Sequence, residues 1–259
     1  MTVTLFHLSD IHFGLEDNKA LDWVKQEIAE RRPAAVAITG DLTMRARHRE
    51  FAAACHWIRS LDVPVTVEVG NHDMPYFNLV ERFVAPYRRF RAIEGLVERE
   101  IDLPGIAIVP LKTAVRAQPR LNWSKGWVSR SALRKCLAAL DALTANGYKA
   151  LCELAKRPVV AVLSGHVHDP FDIMEDTKHG PVRMIGAGTL SQRVRSTPPS
   201  FNELAWDGAT LKVRARNLDE VPTRAMQIDD VPENALPPRE PGEPVAPVNQ
   251  VPRTDPPVH

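Results

Sequence analysis

Three short apolar runs recur within the first 75 residues, and each ends in a turn that carries aspartate, asparagine or histidine. Val3 to Leu8 leads into Ser9-Asp10-Ile11-His12-Phe13-Gly14, Ala34 to Ile38 into Thr39-Gly40-Asp41-Leu42-Thr43, and Val63 to Val69 into Gly70-Asn71-His72-Asp73. The runs are rich in strand formers, and the second is too continuously apolar for an exposed sheet edge, so buried strands are predicted. Between them Leu21, Val24 and Ile28 mark one helical face, stopped at Arg31-Arg32-Pro33, and Phe51, Cys55 and Ile58 mark another. A β-α-β-α-β order of this kind places the three polar turns side by side at the carboxyl ends of the strands, which is where chemistry is expected.

Beyond the third turn the signal weakens. Pro75 to Phe90 mixes aromatics and arginines and reads as loop and short helix covering the crevice, and Ile106 to Leu111 as a further buried strand. Trp123 to Trp127 reads as a turn with aromatic anchors. Leu133, Leu137 and Leu140 mark a helix that fades near Asn146-Gly147, and a second helical piece spans Tyr148 to Lys156. Val159 to Leu163 is another strand, and it delivers Ser164-Gly165-His166-Val167-His168-Asp169-Pro170, so two imidazoles join the set at a fourth tip. Phe171 to Arg216 alternates polar and apolar residues around turns at Lys178-His179-Gly180-Pro181 and Trp206-Asp207-Gly208, the pattern of antiparallel strands closing a second sheet. From Val221 onward there is no apolar periodicity, and nearly half of the chain's 22 prolines fall there. The expected organisation is a folded domain over 1–220 and a disordered proline-rich tail over 221–259.

Composition excludes several classes. A net charge of +1 gives no basic stripe for nucleic acid. Cys55, Cys136 and Cys152 are too few and too scattered for a disulfide framework or a zinc-thiolate site. No leader pattern opens the chain and no apolar run is long enough to span a bilayer, so a cytoplasmic protein without membrane partners is expected.

The clustered residues are Asp10, His12, Asp41, Asn71, His72, Asp73, His166 and His168. Carboxylate, amide and imidazole ligation without thiolate suits manganese, iron or zinc. A carboxylate such as Asp41 can bridge two ions, which together activate a water and neutralise phosphate oxygens.

Asp10-Ile11-His12, Gly40-Asp41, Gly70-Asn71-His72-Asp73 and Gly165-His166-Val167-His168, in this order and each behind a strand, resemble the calcineurin-like metallophosphoesterase family. The wording of Ser9 to Gly14, Gly40 to Thr43 and Ser164 to Pro170 is similar to the bacterial branch that includes class III cyclic-nucleotide phosphodiesterases. The resemblance covers about Val3 to Val213. It implies an α/β fold, a two-sheet β-sandwich flanked by helices (α-β-β-α), and a metal-dependent phosphoesterase that hydrolyses a small-molecule phosphodiester or phosphomonoester with metal-activated water. It further implies that Asp10, His12 and His168 hold one divalent or trivalent transition metal, that Asp41 bridges, and that Asn71 and His166 hold a second. His72 would act on the leaving oxygen, with Asp73 orienting its ring.

One element of the family pattern is missing. The family carries a further histidine on a separate strand between the last two motifs, whereas no histidine occurs here between Asp73 and Gly165. A local deletion near Asn146 accounts for both the histidine and its strand, so a sandwich short of one strand and a weakened second metal site are expected. The alternative function is a degenerate phosphoesterase fold serving as a binding or scaffold module, with the proline-rich tail as its contact segment. Among other residues, His7 reads as structural, His48 and His56 as surface residues of a helix, and His179 as a turn residue. Arg45, Arg47 and Arg49 read as a solvated helical face. An arginine of Gly188 to Arg195 either contacts substrate phosphate or is a solvated charge in a turn.

Overall fold

The computed structural model describes residues 2–75, 78–97, 101–114, 128–141 and 154–218. Strands β1 (Val3–Ser9), β2 (Ala35–Thr39) and β3 (Val65–Glu68) run parallel, joined by helices α1 (Asn18–Arg31) and α2 (His48–Arg59). Helix α1 starts where the Asp17 carboxylate accepts the Lys19 and Ala20 N–H groups, at 2.9 and 3.2 Å, and ends where Arg32 turns left-handed at φ 47° ahead of Pro33. Strand alternation then divides the core. Phe6, Leu8, Val36 and Ile38 pack with Leu21, Val24 and Ile28 of α1 and with Phe51 and Ile58 of α2. Leu5 and Ala35 point the other way, into a second core with Ile185, Leu204, Val213 and Ala215. Each fully buried Val, Leu, Ile or Phe side chain among these contributes roughly 1.5–3 kcal/mol.

The second core lies between two sheets. One has the order β10-β9-β1-β2-β3, with β9 (Ser200–Trp206) and β10 (Leu211–Asn217); the other has the order β6-β8-β7, with β6 (Val162–His168), β7 (Phe171–Thr177) and β8 (Gly180–Gly188). This is a two-sheet sandwich flanked by helices. The expectation that Phe171 to Arg216 forms one second sheet holds only for its first half. After β8 the chain crosses over, and β9 pairs antiparallel with the free edge of β1, where Phe201 packs on Phe6 with ring centroids 4.7 Å apart. The Asn202 side chain reaches back across the sandwich to donate to the Gly186 carbonyl at 2.8 Å.

Three smaller expectations also change. Ile106–Ile108 is the second strand of a small hairpin, β5, paired with β4 (Ile101–Leu103), and it is half-exposed; the tight turn at Gly105, φ 79°, makes a hairpin there instead of a buried sheet strand. Strand β6 begins at Val162 and carries its pairing with β8 through His168, with an irregularity between Ser164 and His168, so both histidines belong to the strand end itself. Residues 75–90 are not a simple cover for the crevice: beyond α3 (Leu79–Val84), Phe90 meets Phe51 of α2 edge-on, and α4 (Arg91–Glu94) buries Ile93 in the helix-side core. Helix α5 (Arg130–Asp141) lies where Leu133 and Leu137 place it. Among the described residues β6 pairs only with β8, leaving its other edge without a strand. The aromatic turn at Trp123, most of the helical piece from Tyr148, the surroundings of Asn146 and the tail from Val221 lie outside the described residues. No helix among the described residues is long and apolar enough to cross a membrane.

Candidate metal centre

The turns after β1, β2, β3 and the end of β6 meet at one end of the sandwich. Beyond β1 the chain continues alongside the turn after β2: the His12 N–H donates to the Asp41 carbonyl at 3.1 Å, and the Phe13 N–H to Leu42 at 2.9 Å. Two glycines permit the approach. A Cβ at Gly70 would lie 2.2 Å from both the backbone nitrogen and Oδ1 of Asp41, and one at Gly165 would lie 1.9 Å from Ser9 Oγ and 2.8 Å from Asp10 Oδ2. Asp10, His12, His166 and His168 all have positive φ, 50°, 51°, 77° and 68°. Left-handed backbone costs a non-glycine residue roughly 1–2 kcal/mol, and its concentration on four polar residues of one cluster is the mark of a site held in shape by its surroundings.

Asp10, His12 and His168 form a buried triplet whose ligand atoms converge. Asp10 Oδ1 lies 3.4 Å from His168 Nε2 and 3.8 Å from His12 Nε2, and the two imidazole nitrogens are 3.3 Å apart. The His168 ring is oriented by the Arg193 carbonyl, 2.8 Å from its Nδ1; a carbonyl can only accept, so Nδ1 is the donor and Nε2 is turned into the cluster. Burial, only partly offset by the Asp41 and Asp10 charges, lowers the His12 pKa to about 4, which favours a neutral His12 ring. Asp10 Oδ1 is buried without a hydrogen-bond donor, because Ser9 Oγ and the His166 N–H, at 2.7 Å, both go to Oδ2. One carboxylate oxygen and two imidazole nitrogens converging in this way fit a transition-metal cation.

Asp10, Asp41 and His166 form a second, partly exposed triplet. His166 Nδ1 is 3.8 Å from Asp41 Oδ2, and its side chain is 48 % exposed. Burial acts to raise the Asp41 pKa, but the adjacent His166 ring, the charges of His72 and His12 and the His72 N–H outweigh it, and the carboxylate sits at about 2. His166 is raised in turn, chiefly by Asp41. Asn71 occupies the half-buried position between Gly70, which packs on Asp41, and His72, whose N–H donates to Asp41 Oδ1 at 3.0 Å.

The expected partnership of Asp73 with His72 is replaced by another. His72 Nδ1 lies 2.7 Å from the Met44 carbonyl, which sets the orientation of the ring, and the ring stands edge-on to His12 with centroids 5.0 Å apart. Asp73 is fully buried, and its oxygens accept the N–H groups of Thr43 (2.7 Å), Gly70 (2.9 Å) and Leu42 (3.2 Å) and the Thr43 hydroxyl (2.8 Å). Its carboxylate joins the second and third turns; a backbone carbonyl supplies the orientation that a carboxylate was expected to give. His7, as its place within β1 implies, is buried and lies 2.8 Å from Thr39 Oγ1, while His48, His56 and His179 are exposed.

The crossing from β8 to β9 runs along the cluster, and here the structure adds residues. Thr189 Oγ1 donates to the Asp10 carbonyl at 2.7 Å, and Arg193 supplies both the carbonyl that holds His168 and a guanidinium 3.3 Å from His12 Nε2. Met44 carried no sequence signal, since it acts through its backbone carbonyl, which leaves no trace in residue type.

The calcineurin-like phosphoesterase profile matches residues 3–170. No curated protein matches the sequence. Among solved structures, a dimetal phosphatase from Danio rerio is 12% identical, with 86% of this chain and 99% of that one covered at a TM-score of 0.58. GAP50 of Plasmodium, the anchor in its inner membrane complex, is 10% identical over 86% and 88% of the two chains (TM-score 0.53). Purple acid phosphatase PPD1 of yellow lupin, Lupinus luteus, is 12% identical over 94% and 57% (TM-score 0.53). These identities speak for the fold alone; the profile covers well over half of the chain and spans all four motif turns, and on that ground the protein belongs to the calcineurin-like phosphoesterase family.

Proposed function

We propose that this protein is a metal-dependent hydrolase of a phosphodiester or phosphomonoester in a small-molecule substrate, using water activated by one or two manganese, iron or zinc ions. The observation that carries the reading is the convergence of Asp10 Oδ1, His12 Nε2 and His168 Nε2, three potential ligand atoms within 3.8 Å of one another. Asp10, His12 and His168 would hold the first ion and Asp41, Asn71 and His166 the second. Asp10 is common to both triplets, but Ser9 and the His166 N–H already occupy one of its oxygens. The family resemblance assigns the bridge to Asp41, which belongs to the second triplet. When bound, such ions lower the pKa of a water and neutralise phosphate oxygens.

The chain's own groups account for the remaining chemistry. His72, fixed through Nδ1 by Met44, presents Nε2 beside the first triplet, where a proton can pass to the leaving oxygen. Asp73 and Thr43 hold the turns that bear Asp41 and Asn71 in register. The left-handed backbone at Asp10, His12, His166 and His168 aims these side chains into the cluster.

The test is metal content by elemental analysis beside turnover of a chromogenic diester and monoester with added manganese. A protein that binds no transition metal and cleaves neither ester sinks the proposal. The second reading, a binding or scaffold module, is favoured by the exposed His166 and by the absence of any histidine between Asp73 and Gly165. It predicts that the cellular role survives the double change Asp10→Asn, His168→Ala, whereas the hydrolase reading predicts its loss.

A further inference from the structure

The loop that crosses from β8 to β9 is fastened on both sides of a short exposed stretch. Upstream, Thr189 Oγ1 donates to the Asp10 carbonyl (2.7 Å), the Gln192 N–H to the Leu15 carbonyl (2.9 Å) and the Arg193 N–H to Ser191 Oγ (3.2 Å). Downstream, the N–H groups of Ser196 and Thr197 donate to Asp169 Oδ1, at 3.1 and 3.0 Å. Between these anchors Arg193, Val194 and Arg195 are exposed.

The backbone of Arg193 is held by the metal cluster itself, through its carbonyl and His168 Nδ1 at 2.8 Å. Its guanidinium therefore has a fixed origin, and Nη1 ends 3.3 Å from His12 Nε2 and 3.9 Å from Met44 Sδ. Among the described residues no carboxylate pairs with it. That is unusual for an arginine at the mouth of a site that gathers two aspartates. A guanidinium beside a triplet that holds a cation is repelled by that cation unless an anion lies between them. Arginine's planar fork matches the oxygens of a phosphate, and each such charge-assisted bond is stronger than a neutral one.

We propose that Arg193 binds a non-bridging oxygen of the substrate's phosphoryl group, so that the tetrahedral anion is held jointly by the metal triplet and the guanidinium. This rests on the phosphoesterase reading and gives the charge-neutralising role a residue.

The test titrates inorganic phosphate into the manganese-loaded full-length protein by calorimetry, with metal content measured on the same samples. Variants are Arg193→Ala, Arg193→Lys and, as a control for the loss of one surface charge, Arg214→Ala on the exposed face of β10. Expected for Arg193→Ala is phosphate binding weaker by about 10- to 100-fold with manganese content unchanged, as for a lost hydrogen bond to a charged group. Lysine should restore part of it, and Arg214→Ala should match the unaltered protein. The proposal is overturned if Arg193→Ala binds phosphate as the parent does, if the parent binds manganese but no phosphate, or if Arg193→Ala sheds manganese in proportion to the phosphate lost. A parent that binds phosphate through Arg193 yet cleaves no ester leaves this assignment standing and sinks the hydrolase reading instead.

Discussion

Asp73 and Thr43 are joined twice through one oxygen: Asp73 Oδ1 accepts the Thr43 N–H at 2.7 Å and the Thr43 hydroxyl at 2.8 Å. The other oxygen takes the Gly70 and Leu42 N–H groups. Four donors converge on one buried carboxylate, and burial and then the nearby Asp41 charge still push its pKa up to about 7 against them. Asp73→Asn puts an amide NH2 where two of these donors point. Leaving buried donors unmatched costs about 1–3 kcal/mol each, so the variant should lose on the order of 3 kcal/mol in chemical denaturation. Its second-site metal should weaken as well, because the turns bearing Asp41 and Asn71 lose their tie. Unchanged stability contradicts this account.

Gly165 is predicted to be intolerant of any side chain. An alanine Cβ would sit 1.9 Å from Ser9 Oγ and 2.5 Å from the Thr39 carbonyl. Either Ser9 gives up its place against Asp10, or β6 retreats from β1. Gly165→Ala should destabilise the protein by about 2–3 kcal/mol and reduce first-site metal. Gly95→Ala is the control, with no neighbour nearer than 3.6 Å and ordinary helical backbone, and should be within about 1 kcal/mol of the parent. Equal melting temperatures for the two variants remove the argument.

His7 should shape the acid limb of stability. Burial, opposed only by the Asp10 charge, lowers its pKa from 6.5 to about 3. In the unfolded chain the same ring is protonated below about pH 6.5, so between that value and about 3 the unfolded state binds the extra proton. Stability is therefore complete above about 6.5 and falls as the pH drops through this window, by up to about 1.4 kcal/mol per pH unit for one proton. His7→Gln keeps a donor or acceptor for Thr39 and removes the titration. With chelator present, its unfolding free energy should fall less steeply than the parent's between pH 6.5 and 5. Identical slopes refute the assignment.

Metal loss should follow the geometry of the triplets. His168→Ala should empty the first site alone and His166→Ala the second alone, while Asp41→Ala lowers both, as read by elemental analysis after gel filtration. The second ion should also be the first to leave under limiting chelator, since its set is the shorter. Should Asp10→Ala empty both sites while Asp41→Ala spares one, the bridge belongs to Asp10.

Much of this arrangement was legible in the residues. Apolar runs ended by Ser9-Asp10, Gly40-Asp41 and Gly70-Asn71 mark where a parallel strand stops, and the paired spacing of His166 and His168 marks a fourth tip. Other features depend on groups that carry no side-chain signature. The Met44 carbonyl, which orients His72, could belong to any residue, and so could the Arg193 carbonyl that orients His168. Alternation in Phe171 to Arg216 identifies half-buried strands, but it says nothing of which edge they join; β9 was taken by the free edge of β1, and Phe6 packing on Phe201 accompanies that pairing. The left-handed backbone at Asp10, His12, His166 and His168 is only weakly legible in residue type, since aspartate and histidine are more tolerant of it than most residues but seldom adopt it.

His72 gives the sharpest test of mechanism. Its Nδ1 is tied to Met44 at 2.7 Å, and its ring stands edge-on to His12 without belonging to either triplet. A group placed to protonate the leaving oxygen matters most when that oxygen is basic. His72→Ala should therefore slow an alkyl ester by about 10²–10⁴-fold and a nitrophenyl ester, whose leaving group departs without a proton, by much less. Metal content should remain that of the parent. The diagnostic quantity is the dependence of rate on leaving-group pKa, steeper in the variant than in the parent. Equal losses for both esters would make His72 a binding group, and loss of metal would make it a ligand.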